Sequence, residues 1–146
     1  MNFQGFTLIE LLVVTAIIMV ITGFGLAGWT KFREKSLINS AASGLKTELR
    51  LVRSQAINGK KPTSNCSTLD GYQVNNGLVV RACCDGSCSG SAKAIEVNSV
   101  IGLTFSTEFP IVFHALSGAI DHAASITLDY HNDQSIININ SSGEIE

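Results

Sequence analysis

Apolar positions run almost unbroken from Phe6 to Trp29, then thin to a three- and four-residue rhythm, then give way to short alternating runs. The first stretch is long enough to span a bilayer. Leu11 to Trp29 alone is 19 residues, about 28 Å at 1.5 Å per helical residue. In the second stretch Ile38, Ala41, Ala42, Leu45, Leu49, Val52 and Ala56 fall on one helical face, with Lys46, Arg50 and Arg53 on others. The two stretches read as one helix from about Phe6 to Ile57, near 75 Å long. Asn58-Gly59 is a stop signal and Pro62 lies just beyond it.

After residue 62 the rhythm becomes that of strands. Gly71 to Val74, Leu78 to Cys84, Ala92 to Val97, Ile101 to Phe105, Ile111 to His114, Ser125 to Tyr130 and Ser135 to Asn140 are β-like. Asn75-Asn76-Gly77 reads as a hairpin turn, and Asn132-Asp133 marks another. The predicted fold class is therefore α+β: one long N-terminal helix, membrane-spanning in its first half, packed on a C-terminal antiparallel β-sheet domain. The predicted segments are 1–5 as a leader, 6–29 as the spanning helix, 30–58 as its amphipathic continuation and 59–146 as the β-rich domain.

One carboxylate interrupts the apolar run. Glu10 costs about 2.5–3.5 kcal/mol within a bilayer, so it is expected to face a partner and to have a function. The leader Met1-Asn2-Phe3-Gln4 carries no Lys or Arg, and the apolar run is too long for a secretory signal peptide. Gly23, Gly25 and Gly28 weaken a helix in water by up to about 1 kcal/mol each, but they permit close helix packing in a membrane.

Charge is distributed as unevenly as hydropathy. Residues 31–61 hold eight Lys and Arg against Glu34 and Glu48, a net of +6, whereas residues 62–146 hold Arg81 and Lys93 against nine acids, a net of −7. The basic cluster after the span would by itself place the C-terminal domain in the cytoplasm. Four cysteines argue for the other side. Cys66, Cys83, Cys84 and Cys88 lie within 23 residues, as in a disulfide-bonded extracytoplasmic domain. A zinc site fits poorly, because vicinal cysteines rarely both bind one metal. Of three connectivities, Cys84–Cys88 with Cys66–Cys83 is favoured: Asp85-Gly86-Ser87 forms a turn between the first pair, and Cys83 and Cys84 point to opposite strand faces.

Gly5 followed by Phe6-Thr7-Leu8-Ile9-Glu10-Leu11-Leu12-Val13-Val14 resembles the N-terminal signal of type IV pilins and type II secretion pseudopilins. The resemblance implies cleavage after Gly5 by a prepilin peptidase and N-methylation of Phe6. It makes Glu10 the acid at the fifth mature position, expected to pair with the Phe6 amine of a neighbouring subunit. Leaders of this family usually carry Lys or Arg; this one has none. Many major pilins carry a proline where this chain has Ala27 and Gly28, which favours a minor subunit.

The C-terminal part is similar to H-type minor pseudopilins and FimT-like minor pilins. The similarity lies in Ile111-Val112-Phe113, Gly118, Ile126-Thr127-Leu128, Ile136 to Asn140 and Gly143-Glu144-Ile145. Leu45 through Ala56, with Arg53-Ser54-Gln55-Ala56, resembles that branch's helix end. The implied role is a structural subunit of a type II secretion pseudopilus or type IV pilus. Its partners would be other pilin or pseudopilin subunits, the prepilin peptidase, an inner-membrane assembly platform and the membrane itself. The implied location is the bacterial inner membrane, single-pass, and then a periplasmic or cell-surface filament.

Two alternatives within the family remain: a major type IV pilin for adhesion or motility, and a DNA-binding minor pilin. For the latter, Lys46, Arg50, Arg53, Lys60 and Lys61 offer phosphate contacts, although a helix C-terminus favours cations anyway and no aromatic residues interleave to stack bases. An enzyme is not expected: no nucleophile elbow or triad spacing appears, and no glycine motif for a nucleotide cofactor. Asp129, His131 and Asp133 read as a solvated turn, so no metal is expected.

Overall fold

A computed structural model describes residues 6–62, 66–90, 92–97, 101–106 and 109–146, with the side chains of residues 24–28 left out. The chain forms two compact units, Met1–Ser36 and Leu37–Glu146. A single helix, α1 (Leu8–Ile57), supplies the first unit and opens the second. The second unit takes in α1 from Leu37 onward.

Local chemistry sets both ends of α1. At its start the Glu10 N–H donates to the Thr7 carbonyl at 3.1 Å and lies 3.4 Å from the Thr7 hydroxyl. Thr7-Leu8-Ile9-Glu10 has the spacing of a capping box. At its end Gly59 takes the left-handed φ of 58°. The Gly59 N–H reaches the Ala56 carbonyl and the Lys60 N–H reaches Gln55, both at 3.0 Å. These are the two bonds of a Schellman cap, which a glycine makes at least cost.

In the second unit the strands are β1 (Leu69–Val74), β2 (Val79–Cys84), β3 (Lys93–Ala94), β4 (Gly102–Phe105), β5 (Ile111–His114), β6 (Ala124–Tyr130) and β7 (Asp133–Ile139). They form two antiparallel sheets, ordered β3-β2-β1-β5 and β4-β6-β7. The helix face predicted from the sequence is the one buried: Ile38, Ala42, Leu45, Leu49, Val52 and Ala56 join one core with Val74, Phe113, Ile126, Leu128, Ile137 and Ile139. Strand β6 alternates buried and half-buried positions until its last residues, as a sheet with one face on a core must.

Three strand details differ from the sequence reading. Strand β3 is only two residues long. The turn after β6 is His131-Asn132, because Tyr130 pairs with Asp133, which starts β7; His131, at φ 53°, takes the left-handed conformation. In the β1–β2 hairpin the left-handed residue is Leu78 rather than Gly77. Asn75 holds that turn, its Oδ1 accepting from the Gly77 and Val79 N–H groups at 3.0 Å each.

One close approach constrains β1. A Cβ at Gly71 would sit 2.2 Å from the Phe113 carbonyl oxygen on β5, so only glycine lets these strands pair at that spacing.

Candidate assembly site and the disulfide cluster

The first turn of α1 places Glu10 in an exposed position. Among the described residues nothing pairs with its carboxylate. Large apolar side chains surround it: Phe6, Leu8 and Ile9 are 81%, 84% and 72% exposed, and exposure above 45% continues through Ile21. An apolar surface this continuous marks a site that another molecule covers. The helix dipole favours an anion at this end by about 0.3–1 kcal/mol, less than the cost of burying it, so a molecule that buried Glu10 would need to bring a cation.

Among the described residues no helix is long and apolar enough to cross a membrane. The apolar part of α1 with described side chains ends at Gly23. Leu8 to Gly23 is sixteen residues, about 24 Å, short of a hydrocarbon core about 30 Å thick. The sequence reading of a span over 6–29 needs residues 24–28, whose side chains lie outside the described residues. The leader and Gly5 lie outside them too.

All four cysteines are oxidised, but not in the favoured pairing. The bonds are Cys66–Cys84 and Cys83–Cys88. The reason is a register shift of one residue. The turn has two residues, Asp85 (φ 53°) and Gly86 (φ 79°), an Asp-Gly loop whose two left-handed residues match a type I′ hairpin. Cys84 therefore pairs with Ser87, by backbone bonds of 2.8 and 3.0 Å. Cys88 falls opposite Cys83. Cys84 is left for Cys66, which lies three residues before Leu69, its strand partner on β1. The Asp85 carboxylate fixes the approach, accepting from the Ser67 and Thr68 N–H groups at 3.1 and 3.0 Å.

Cys66→Ser with Cys84→Ser opens a loop with a sequence separation of 18 and should cost about 3 kcal/mol. Cys83→Ser with Cys88→Ser opens a separation of only 5 and should cost less. Urea unfolding of the two double variants checks the order, and non-reducing peptide mapping checks the pairing.

The five basic residues offered for nucleic acid have different surroundings. Arg50 Nη2 donates to the Ile145 carbonyl at 2.9 Å, and Arg53 Nη2 to the Ser142 carbonyl at 3.1 Å. Arg53 Nε is buried and finds no acceptor among the described residues. Lys61 Nζ donates to the Ser67 carbonyl. Lys60 is exposed and Lys46 half-buried. Sequence reasoning missed that Arg50 and Arg53 clasp the C-terminal segment 140–146. Their spacing of three places both on one helix face, but it does not say which distant segment that face meets.

The Tyr72 hydroxyl donates to the Lys60 carbonyl, and burial raises its pKa above the ordinary 10.0. The unfolded chain then ionises first, so this contribution to stability is complete below pH 10 and is lost as pH rises through the folded-state value. Wild type should lose more stability between pH 9 and 11 than Tyr72→Phe, measured by urea midpoints; parallel losses would contradict it.

His114 Nε2 lies 3.0 Å from Asp121 on the surface. His122 and His131 stand elsewhere on the second unit. Among the described residues no three His, Cys, Asp or Glu side chains gather as a metal site requires.

An N-terminal helix with an exposed acid in its apolar first turn, followed by an antiparallel β-domain, is the arrangement of a pilin-like subunit. Residues 1–26 match the prokaryotic N-terminal methylation motif. Residues 41–143 match the family described as type II transport protein GspH. The chain belongs to that family of type II secretion minor pseudopilins. No curated protein and no solved structure matches it. Both families found are of structural subunits rather than enzymes. Membership implies assembly with other pilin subunits and handling by the prepilin peptidase.

Proposed function

We propose that the chain is a minor subunit of a type II secretion pseudopilus, cleaved after Gly5, N-methylated at Phe6 and held in the filament through Glu10. The observation that carries this reading is the Glu10 carboxylate, exposed amid an exposed apolar surface and without a partner among the described residues. A carboxylate so placed needs a cation that arrives with an apolar partner. The amine of Phe6 on a neighbouring subunit meets both needs, and it exists only after the leader is cut.

Residues 6–29 anchor the subunit in the inner membrane before assembly, and residues 59–146 lie outside the cytoplasm. Two disulfides support that side of the membrane, since such bonds persist in oxidising compartments. The match to GspH favours the secretion pseudopilus over the type IV pilus. Deleting the gene should trap secreted enzymes in the periplasm and leave surface pili and twitching intact. Loss of pili with normal secretion would reverse that assignment.

A DNA-binding minor pilin is the second reading, favoured by the exposed Lys60. It predicts a salt-sensitive mobility shift of short duplex DNA by the full chain in detergent. The shift should be weakened by Lys60→Glu; its absence would remove the reading.

A further inference from the structure

A groove with a cavity of about 270 Å³ opens between the C-terminal half of α1 and strands β1 and β2. Val52, Tyr72, Val80 and Ala82 contribute apolar floor, and Leu51 stands at its lip, 44% exposed. The volume falls below the range of pockets for whole cofactors or drug-sized ligands. It suits one large side chain.

The walls carry a net positive charge. Lys60, Lys61 and Lys93 face Glu48 alone; Lys93 comes from the stretch 62–146, whose net charge is −7, and the other three from the basic stretch 31–61. Lys93 and Glu48 pair at 2.9 Å, but with side chains 65% and 39% exposed. Such a surface pair contributes little, so an incoming carboxylate replaces Glu48 at small cost. Among the described residues nothing pairs with the Lys60 ammonium.

We propose that this groove binds an acidic peptide segment of a partner protein, which inserts one apolar side chain over Val80 and Ala82 while its carboxylates meet the three lysines. The chain's own acidic tail is not the occupant: Ile145 is buried and its carbonyl is held by Arg50. Nucleic acid is the weaker fit. The aromatic residue in the lining, Tyr72, is buried with its hydroxyl tied to Lys60, so no ring is offered for base stacking.

The test uses the full chain in lipid nanodiscs and a fluorescent heptapeptide, Glu-Asp-Glu-Leu-Glu-Asp-Glu, read by anisotropy. Saturable binding is expected, at least fivefold weaker when the central Leu is Ser, and weaker in 0.5 M salt. Lys60→Glu and Leu51→Glu should each weaken it about tenfold; both positions are exposed, and a thermal melt checks folding. Arg81→Glu makes the same charge change on the outer face of β2 and should leave binding unchanged. Equal binding of the Leu and Ser peptides would overturn the proposal. So would an equal loss in Arg81→Glu, stronger binding of an oligo-dT strand, or no saturable binding.

Discussion

Gly143→Ala is expected to destabilise the β-rich unit by about 4 kcal/mol, a loss reserved for the most constrained positions. Gly143 sits at φ 76°, and a Cβ there would lie 1.9 Å from the Gly118 carbonyl oxygen and 3.0 Å from its carbon. The obstacle is backbone, so no rotamer change relieves it. Gly118 has no room to retreat: it too is left-handed, at φ 65°, and its own Cβ position lies 2.6 Å from Ile57. The segment that must move carries the Ser142 carbonyl bound by Arg53, the buried Ile145 and the paired Asn138 and Glu146 backbones. For a unit of about this size the loss lowers the melting temperature by roughly 15–20 °C. Gly86→Ala separates the causes. Gly86 is also left-handed, at φ 79°, but nothing lies within 4 Å of its Cβ position. It should show only backbone strain, about 1–2 kcal/mol. Equal losses in the two variants, followed by circular dichroism on the full chain, would refute the backbone clash.

Glu10→Gln is expected to reduce incorporation into filaments by on the order of a hundredfold without changing the stability of the β-rich unit. The substitution keeps size and removes charge. Among the described residues the Glu10 carboxylate has no partner, so no intramolecular pair is lost. In the filament contact proposed above, the change would strand the Phe6 ammonium in an apolar setting, and breaking a buried pair from one side costs about 3–5 kcal/mol. The lower figure corresponds to roughly a hundredfold. Sedimented filaments probed for the subunit, beside a melt of the purified chain, measure both halves of the expectation.

The helix and its buried face were legible because a nineteen-residue rhythm from Ile38 to Ala56 is hard to satisfy any other way. Asn58-Gly59 marked its end for a reason visible in the cap bonds. Strands were legible where apolar residues alternate, as in Ser125 to Tyr130, and less so at Ala92 to Val97, where only Lys93 and Ala94 pair. The disulfide pairing was misread at a single step. Three residues between Cys84 and Cys88 suggested that these two face each other, whereas the left-handed preference of Asp-Gly closes the turn one residue earlier. The Arg53 clasp was out of reach for another reason. It joins residues 89 apart in sequence, and its need for two glycines appears only when their backbones meet. Glu10 is the reverse case: its oddity is complete in the sequence, and the structure adds that the described residues offer it no partner.

Mass spectrometry of the N-terminus of the assembled subunit tests the central claim most directly. The expected species is a chain of 141 residues, shortened by the five-residue leader, that begins at Phe6 and carries a methyl group on its amine. An intact Met1 in the assembled protein would contradict it, because the cation proposed for Glu10 would then never form.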